Sequence, residues 1–187
     1  VFSQNKKWVP CNKGGAYRRW YGNRNIVVAF NRESFNSLLN QGNHLPSRQF
    51  YFKEGWTWST LTSGLCSFRL SPIGTVFETK GSVCFSRDQG NLYKLGGYLN
   101  SVLVQSFLRA KSPTLDYHEG PLRTIPFIDI TDFNEGLVKQ LIELSKNDDK
   151  SYETSWDFTT LPLLQSNYHQ PTIQATYSQL RSHWQTI

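Results

Sequence analysis

The side chains of this 187-residue chain that could carry catalysis or hold a metal are four histidines, three cysteines and a few carboxylates. Their spacing supports neither role. His44, His118, His169 and His183 are scattered, and none stands beside a cysteine or carboxylate at metal-ligand spacing. His118-Glu119 is a neighbour pair rather than an HExxH arrangement. Asp129 and Asp132 come nearest to the clustered carboxylates that a magnesium-dependent nuclease needs. Asp132, with Glu135 three residues on, is explained more simply as a helix N-terminal cap. Neither a GxSxG elbow nor a GxxxxGK[ST] loop is present. The sequence therefore predicts no catalytic residue and no metal ligand.

Charge is the more informative chemistry. The net charge is +6, but up to Lys111 there are 15 Lys/Arg against 4 Asp/Glu, and from Ser112 onward 5 against 10. The first 32 residues carry seven basic side chains and no acidic one. Such an asymmetry points to one face for a polyanion and another for protein or solvent. Duplex nucleic acid needs cations for phosphates and a few aimed side chains for base edges. Lys6, Lys7, Lys13, Arg18, Arg19 and Lys53 are the expected phosphate contacts, with the backbone of Gly14 and Gly15 able to approach closely. Arg69, Lys80 and Arg87 lie on or beside expected strands and turns, and are the expected base-edge contacts. The same charge also fits a basic surface that serves solubility, with Trp8 and Trp20 pinning a surface loop.

These side chains need a scaffold. Hydrophobic content of 38%, with 14% aromatic, is that of a globular chain. No apolar run approaches the ~18 residues of a membrane span, and no secretory signal opens the chain. Cys11, Cys66 and Cys84 are odd in number and lack CxxC spacing, which predicts reduced thiols and a cytoplasmic protein. The stretch from Phe50 to Phe85, aromatic, β-branched and punctuated by Gly and Pro, predicts short strands at 50–52, 56–60, 66–70, 75–78 and 82–85. Phe50, Phe52, Phe68 and Phe77 are expected to face inward, and Trp56 and Trp58 to share a packing role on one face. Residues 1–25 read as loop, 26–30 as a strand and 34–40 as a short helix. From Asn91 the period becomes helical, with Gly96-Gly97 and Asn100-Ser101 dividing it and Pro113 ending it. A brief helix is expected from Glu119 to Ile125, a longer one after Asp132 that breaks at Asn147, and a last one with Pro171 at its first position. The expected class is α+β: a small twisted mixed or antiparallel sheet with a helical hairpin over residues 1–127, then a helical C-terminal segment, 128–187. The −5 balance and apolar stripes of that segment predict docking on protein rather than DNA.

The strand block, helix pair and Ile125-Pro126 exit resemble target recognition domains of DNA methyltransferases and restriction specificity subunits. An ordered set of pieces carries a closer resemblance: Asn12-Lys13-Gly14-Gly15, Arg18-Arg19-Trp20-Tyr21-Gly22-Asn23, Tyr51 through Trp58, Phe77 through Ser82, Tyr98-Leu99-Asn100-Ser101 and Glu153-Thr154-Ser155-Trp156-Asp157-Phe158. Together they resemble the C-terminal portion of PglX proteins, adenine-specific DNA methyltransferases of BREX-type phage defence. The resemblance implies a parent enzyme whose N-terminal domain uses S-adenosylmethionine to methylate N6 of adenine. This chain would supply its target recognition domain, with double-stranded DNA, the remainder of the methyltransferase and other phage-defence proteins as partners. A chain that starts at Val1 and contains no methionine is expected to be a piece of a longer protein. The (D/N)PP(Y/F) tetrapeptide and a glycine-rich methyl-donor loop are absent, so no cofactor is expected here. Two other readings remain: a non-catalytic protein-interaction scaffold, and a carbohydrate-binding module stacking sugars on some of the six tryptophans. Reduced cysteines and basic charge argue against the second.

Overall fold

Strand β3 (Gly55–Trp58) is buried along its whole length and lies at the centre of one of two three-stranded sheets. The computed structural model in which it is seen describes residues 2–112, 114–128 and 131–186; Pro113 and Asp129, singled out above, lie outside the described residues. β3 pairs antiparallel with β4 (Phe68–Ser71) on one side and β6 (Val83–Cys84) on the other. Its register sets Trp56 opposite Leu70 and Trp58 opposite Phe68, so these side chains share one face while Thr57 and Arg69 share the other.

Helices cover the tryptophan face. α2 (Leu92–Leu99) lies against Trp56 at Gly96, where a Cβ would stand 1.8 Å from the indole ring. The Trp56 indole N–H donates to Leu92 O at 2.8 Å, and that of Trp58 to Tyr117 O at 2.8 Å. Both indoles are thus core anchors with satisfied donors, as the shared packing role predicts. Asn100 ends α2 and Ser101 caps α3 (Val102–Lys111), its hydroxyl accepting from Val104 N. The two glycines therefore allow close packing within α2, and the chain breaks at Asn100-Ser101. The Asn100 carboxamide reaches back to β4, accepting from Phe68 N at 3.1 Å and donating to Phe68 O at 3.0 Å. Trp20 lies along the same strand, its N–H donating to Phe68 O and its carbonyl accepting from Leu70 N. α4 (Glu119–Arg123) follows as the expected brief helix.

α5 (Glu135–Asp149) places Val138 and Ile142 in the same core as Trp56, with Gly97 of α2 against Phe133 and Val138. Its N-cap is Asn134, which accepts from Leu137 N, and not Asp132. It also runs through the expected break at Asn147. Asp149 is buried and accepts from Ser155 Oγ at 2.5 Å, while Asp148 meets Arg18, so these polar residues are tertiary partners rather than loop.

The second sheet has the order β2-β1-β5. β1 (Trp8–Asn12) falls in the stretch read as loop; it pairs antiparallel with β2 (Val27–Ala29) and parallel with β5 (Val76–Phe77). Its core is Val9, Phe30, Phe35, Leu45, Tyr51 and Val76, closed by α1 (Arg32–Asn40), which Asn31 caps. The expected strand at 50–52 is instead a 3₁₀ turn (Arg48–Phe50) leading to Phe52 at φ +67°. Tertiary demands override its β propensity: Tyr51 enters this core while Phe50, 37% exposed, points outward and stacks on Phe85. α6 (Ile173–Gln185) is capped by Thr172, so Pro171 precedes the cap instead of opening the helix. The class is α+β, with two small sheets where one was expected. Among the described residues no helix is long and apolar enough to cross a membrane.

Candidate nucleic-acid interface

Lys6, Lys7, Lys13, Lys53, Lys80 and Arg87 are exposed, and Arg18 and Arg19 are half-buried. Lys7 lies over the Trp8 ring at 5.7 Å, just before β1. Lys13 opens a turn in which Gly14 and Gly15 take φ +86° and +119°, values that glycine adopts without a Cβ clash. That turn rests on Lys80-Gly81. A Cβ at Gly14 would be 2.8 Å from Lys80 O, and one at Gly81 2.3 Å from the Asn12 backbone. Chain segments far apart in sequence thus bring Lys13 and Lys80 to one place. Lys80 also meets Asp116 at 3.6 Å, and His118 approaches the same carboxylate at 2.9 Å.

Lys53 and Arg87 border a cleft of about 670 Å³ walled by Phe50, Phe77, Phe85 and Tyr98. Phe50 and Phe85 stack at 5.1 Å, and the Lys53 ammonium lies 5.3 Å from the Phe50 ring. Arg123 joins this rim from α4. Sequence reasoning passed over it because it lies in the acidic half, where only the fold shows its proximity to Arg87.

Two arginines depart from expectation. Arg18 makes a 2.9 Å ion pair with Asp148 and sits 4.9 Å from the Tyr152 ring, so its charge is met within the chain. Arg69 is 1% exposed, and in this conformation it is a core side chain and not a reader of base edges. The alternation of β4 explains this: Phe68 takes the tryptophan face, which turns Arg69 into the layer between the sheets. There its Nη2 donates to Ser59 Oγ at 3.3 Å, while Nε and Nη1 have no partner. Burial pushes this guanidinium down to about 10; the nearby charge of Arg18 acts in the same direction and Cys66 opposes it.

A second buried arginine is Arg24, 7% exposed and not singled out from the sequence. Its Nε donates to Asp157 at 2.9 Å and its Nη1 to Thr75 Oγ1 at 3.2 Å; the Tyr21 hydroxyl donates to Asp157 at 2.5 Å, and Trp156 N to Arg24 O at 2.7 Å. The Arg18–Asn23 and Glu153–Phe158 pieces therefore meet each other: basic N-terminal and acidic C-terminal halves are joined by Arg18–Asp148 and Arg24–Asp157. Burial raises the thiols too, Cys11 to about 11 and Cys66 to about 12, which keeps both protonated at neutral pH. Among the described residues no group of three or more His, Cys, Asp or Glu could hold a metal ion.

No family model matches the chain. Two curated relatives do. The adenine-specific methyltransferase PglX of Lacticaseibacillus casei (strain Zhang) is 34% identical over 191 residues, covering 94% of this chain. The adenine-specific methyltransferase BrxX of Escherichia coli O9:H4 (strain HS) is 31% identical over 176 residues, covering 93% of it. Almost end to end, the chain is thus homologous to one segment of adenine-specific methyltransferases of the PglX and BrxX kind, of whose lengths it spans 16% and 14%.

Proposed function

We propose that this chain is a DNA-recognition segment of an adenine-specific DNA methyltransferase, making backbone contacts to duplex DNA rather than methyl transfer. One observation carries the reading. Among the described residues, the exposed cations Lys6, Lys7, Lys13, Lys53 and Arg87 meet no carboxylate, although the fold uses Asp148 and Asp157 to neutralise Arg18 and Arg24. Five unmatched cations on an N-terminal region poor in acid suit a phosphate backbone. In this reading Lys6, Lys7, Lys13, Arg19 and Lys53 are backbone anchors, and Lys80 and Arg87, on a turn and a cleft rim, address bases. S-adenosylmethionine and the methyl-transfer residues belong to other parts of a longer cytoplasmic enzyme, which would act beside further phage-defence proteins.

Competition binding at two salt concentrations tests the reading. Each phosphate contact removed, as in Lys13→Ala, should shrink the slope of log K against log salt by about 0.9 and weaken all duplexes alike. Lys80→Ala or Arg87→Ala should cost about 1–3 kcal/mol on the cognate site only, and relax one position of the methylated sequence in the longer enzyme. Binding that is absent, or insensitive to salt, would refute the proposal. The scaffold reading would then take its place, since Leu164 (70% exposed) and Ile173 (82% exposed) leave an apolar surface around α6.

A further inference from the structure

Arg69 is among the largest fully buried side chains of the protein, and among the described residues no carboxylate pairs with it. Arg24, the other buried arginine, does have a counter-charge, in Asp157. A buried cation with two idle donors is costly, and such an arrangement in a folded protein points to a ligand that completes it.

Hydrogen bonds link this guanidinium to a surface turn. Nη2 is occupied by Ser59 Oγ, and that hydroxyl in turn donates to Gly15 O at 2.9 Å. Gly15 and Lys13 are exposed, so this chain of hydrogen bonds runs from the buried guanidinium to an exposed turn. The Gly15 carbonyl belongs to the Gly15–Ala16 peptide, where the only side chain to move if it turns is the exposed methyl of Ala16, and Lys13 and Lys80 stand at the same turn. An oxyanion that replaced Ser59 at Nη2 would find a second idle N–H beside it, Nη1 at the end of the fork or Nε along its side. Either geometry is the two-pronged contact that guanidinium makes with phosphate.

We propose that Arg69 is the floor of a latent phosphate site beneath the Lys13–Gly15 turn, opened when the Gly15–Ala16 peptide swings its carbonyl away from Ser59 and closed over the anion by Lys13. Only the source of the phosphate, DNA backbone or free ion, depends on the function proposed above.

The test is titration of the whole chain with inorganic phosphate against chloride at matched ionic strength. Thermal denaturation and the ¹⁵N resonance of the Arg69 Nε–H are the readouts. Phosphate, and not chloride, should raise the midpoint and shift that resonance. Arg69→Lys, which keeps the charge and loses the fork, should weaken phosphate about tenfold, while Ser59→Ala should bind it at least as well as wild type. An anion-independent rise in the midpoint, or equal phosphate affinity for wild type and Arg69→Lys, overturns the proposal. If Arg69→Lys does not fold, the wild-type resonance decides, and a signal that phosphate leaves unmoved is a refutation. A native duplex that displaces phosphate from this signal identifies the DNA backbone as the ligand. A duplex that binds without moving the signal leaves the site to free phosphate. A phosphate response in a chain that binds no duplex keeps the site and refutes the DNA reading.

Discussion

On one face of β3, Trp56 and Trp58 fill a core with both indole donors satisfied and a helix seated close enough to require Gly96. On the other, Thr57 hydrogen-bonds Gly81 O and Arg69 is buried without a carboxylate, whereas the buried Arg24 elsewhere in the molecule is neutralised by Asp157. The first face is built as folding alone would build it. The second retains electrostatic capacity that folding does not use, and that is where a ligand has something to gain. Four substitutions can break or sharpen this contrast, each read as the change in urea denaturation midpoint at constant slope. Gly96→Ala should have the largest effect, about 4 kcal/mol or more, because its methyl would enter the Trp56 ring. Arg24→Met should cost about 3 kcal/mol, since it leaves Asp157 without its cation in a mostly buried place. Trp58→Phe should cost about 2 kcal/mol, through the lost bond to Tyr117 O and the smaller ring. Arg69→Met should lie within about 1 kcal/mol of wild type or be more stable, because nothing charged loses a partner. If Arg69→Met cost as much as Arg24→Met, the two buried arginines would be equivalent and the contrast would fail.

What could be read from the sequence follows the range of the interactions involved. The α2–α3 pair was legible because its leucine spacing and its Asn100-Ser101 break are local. β3, β4, β5 and β6 were legible to within a few residues for the same reason. β1 was not, because Pro10 lies within it, lysines and glycines flank it, and its partners Val27–Ala29 and Val76–Phe77 are set by tertiary pairing. The polar end of α5 read as a loop since the sequence gives no sign that Asp148 meets Arg18 or that Asp149 is buried under Ser155. For the candidate interface, exposed lysines could be found by charge alone. The side to which Arg69 turns could not, because it depends on the β3–β4 register, and a one-residue slip would send it outward. The pairing of the Arg18–Asn23 and Glu153–Phe158 pieces was equally hidden, as their complementarity is one of shape and charge across the fold.

The Asn100 carboxamide has a consequence for the protein's behaviour in company. β4 is the outer strand of its sheet, and an outer strand offers its free amides and carbonyls to any passing chain. Here Asn100 imitates a peptide group against Phe68, and Trp20 runs alongside as a partial strand, so the Phe68 peptide groups and Leu70 N are already engaged. That edge is thus held by a side-chain amide together with the Trp20 segment, and loss of the amide in Asn100→Ala should show as self-association, detectable by light scattering.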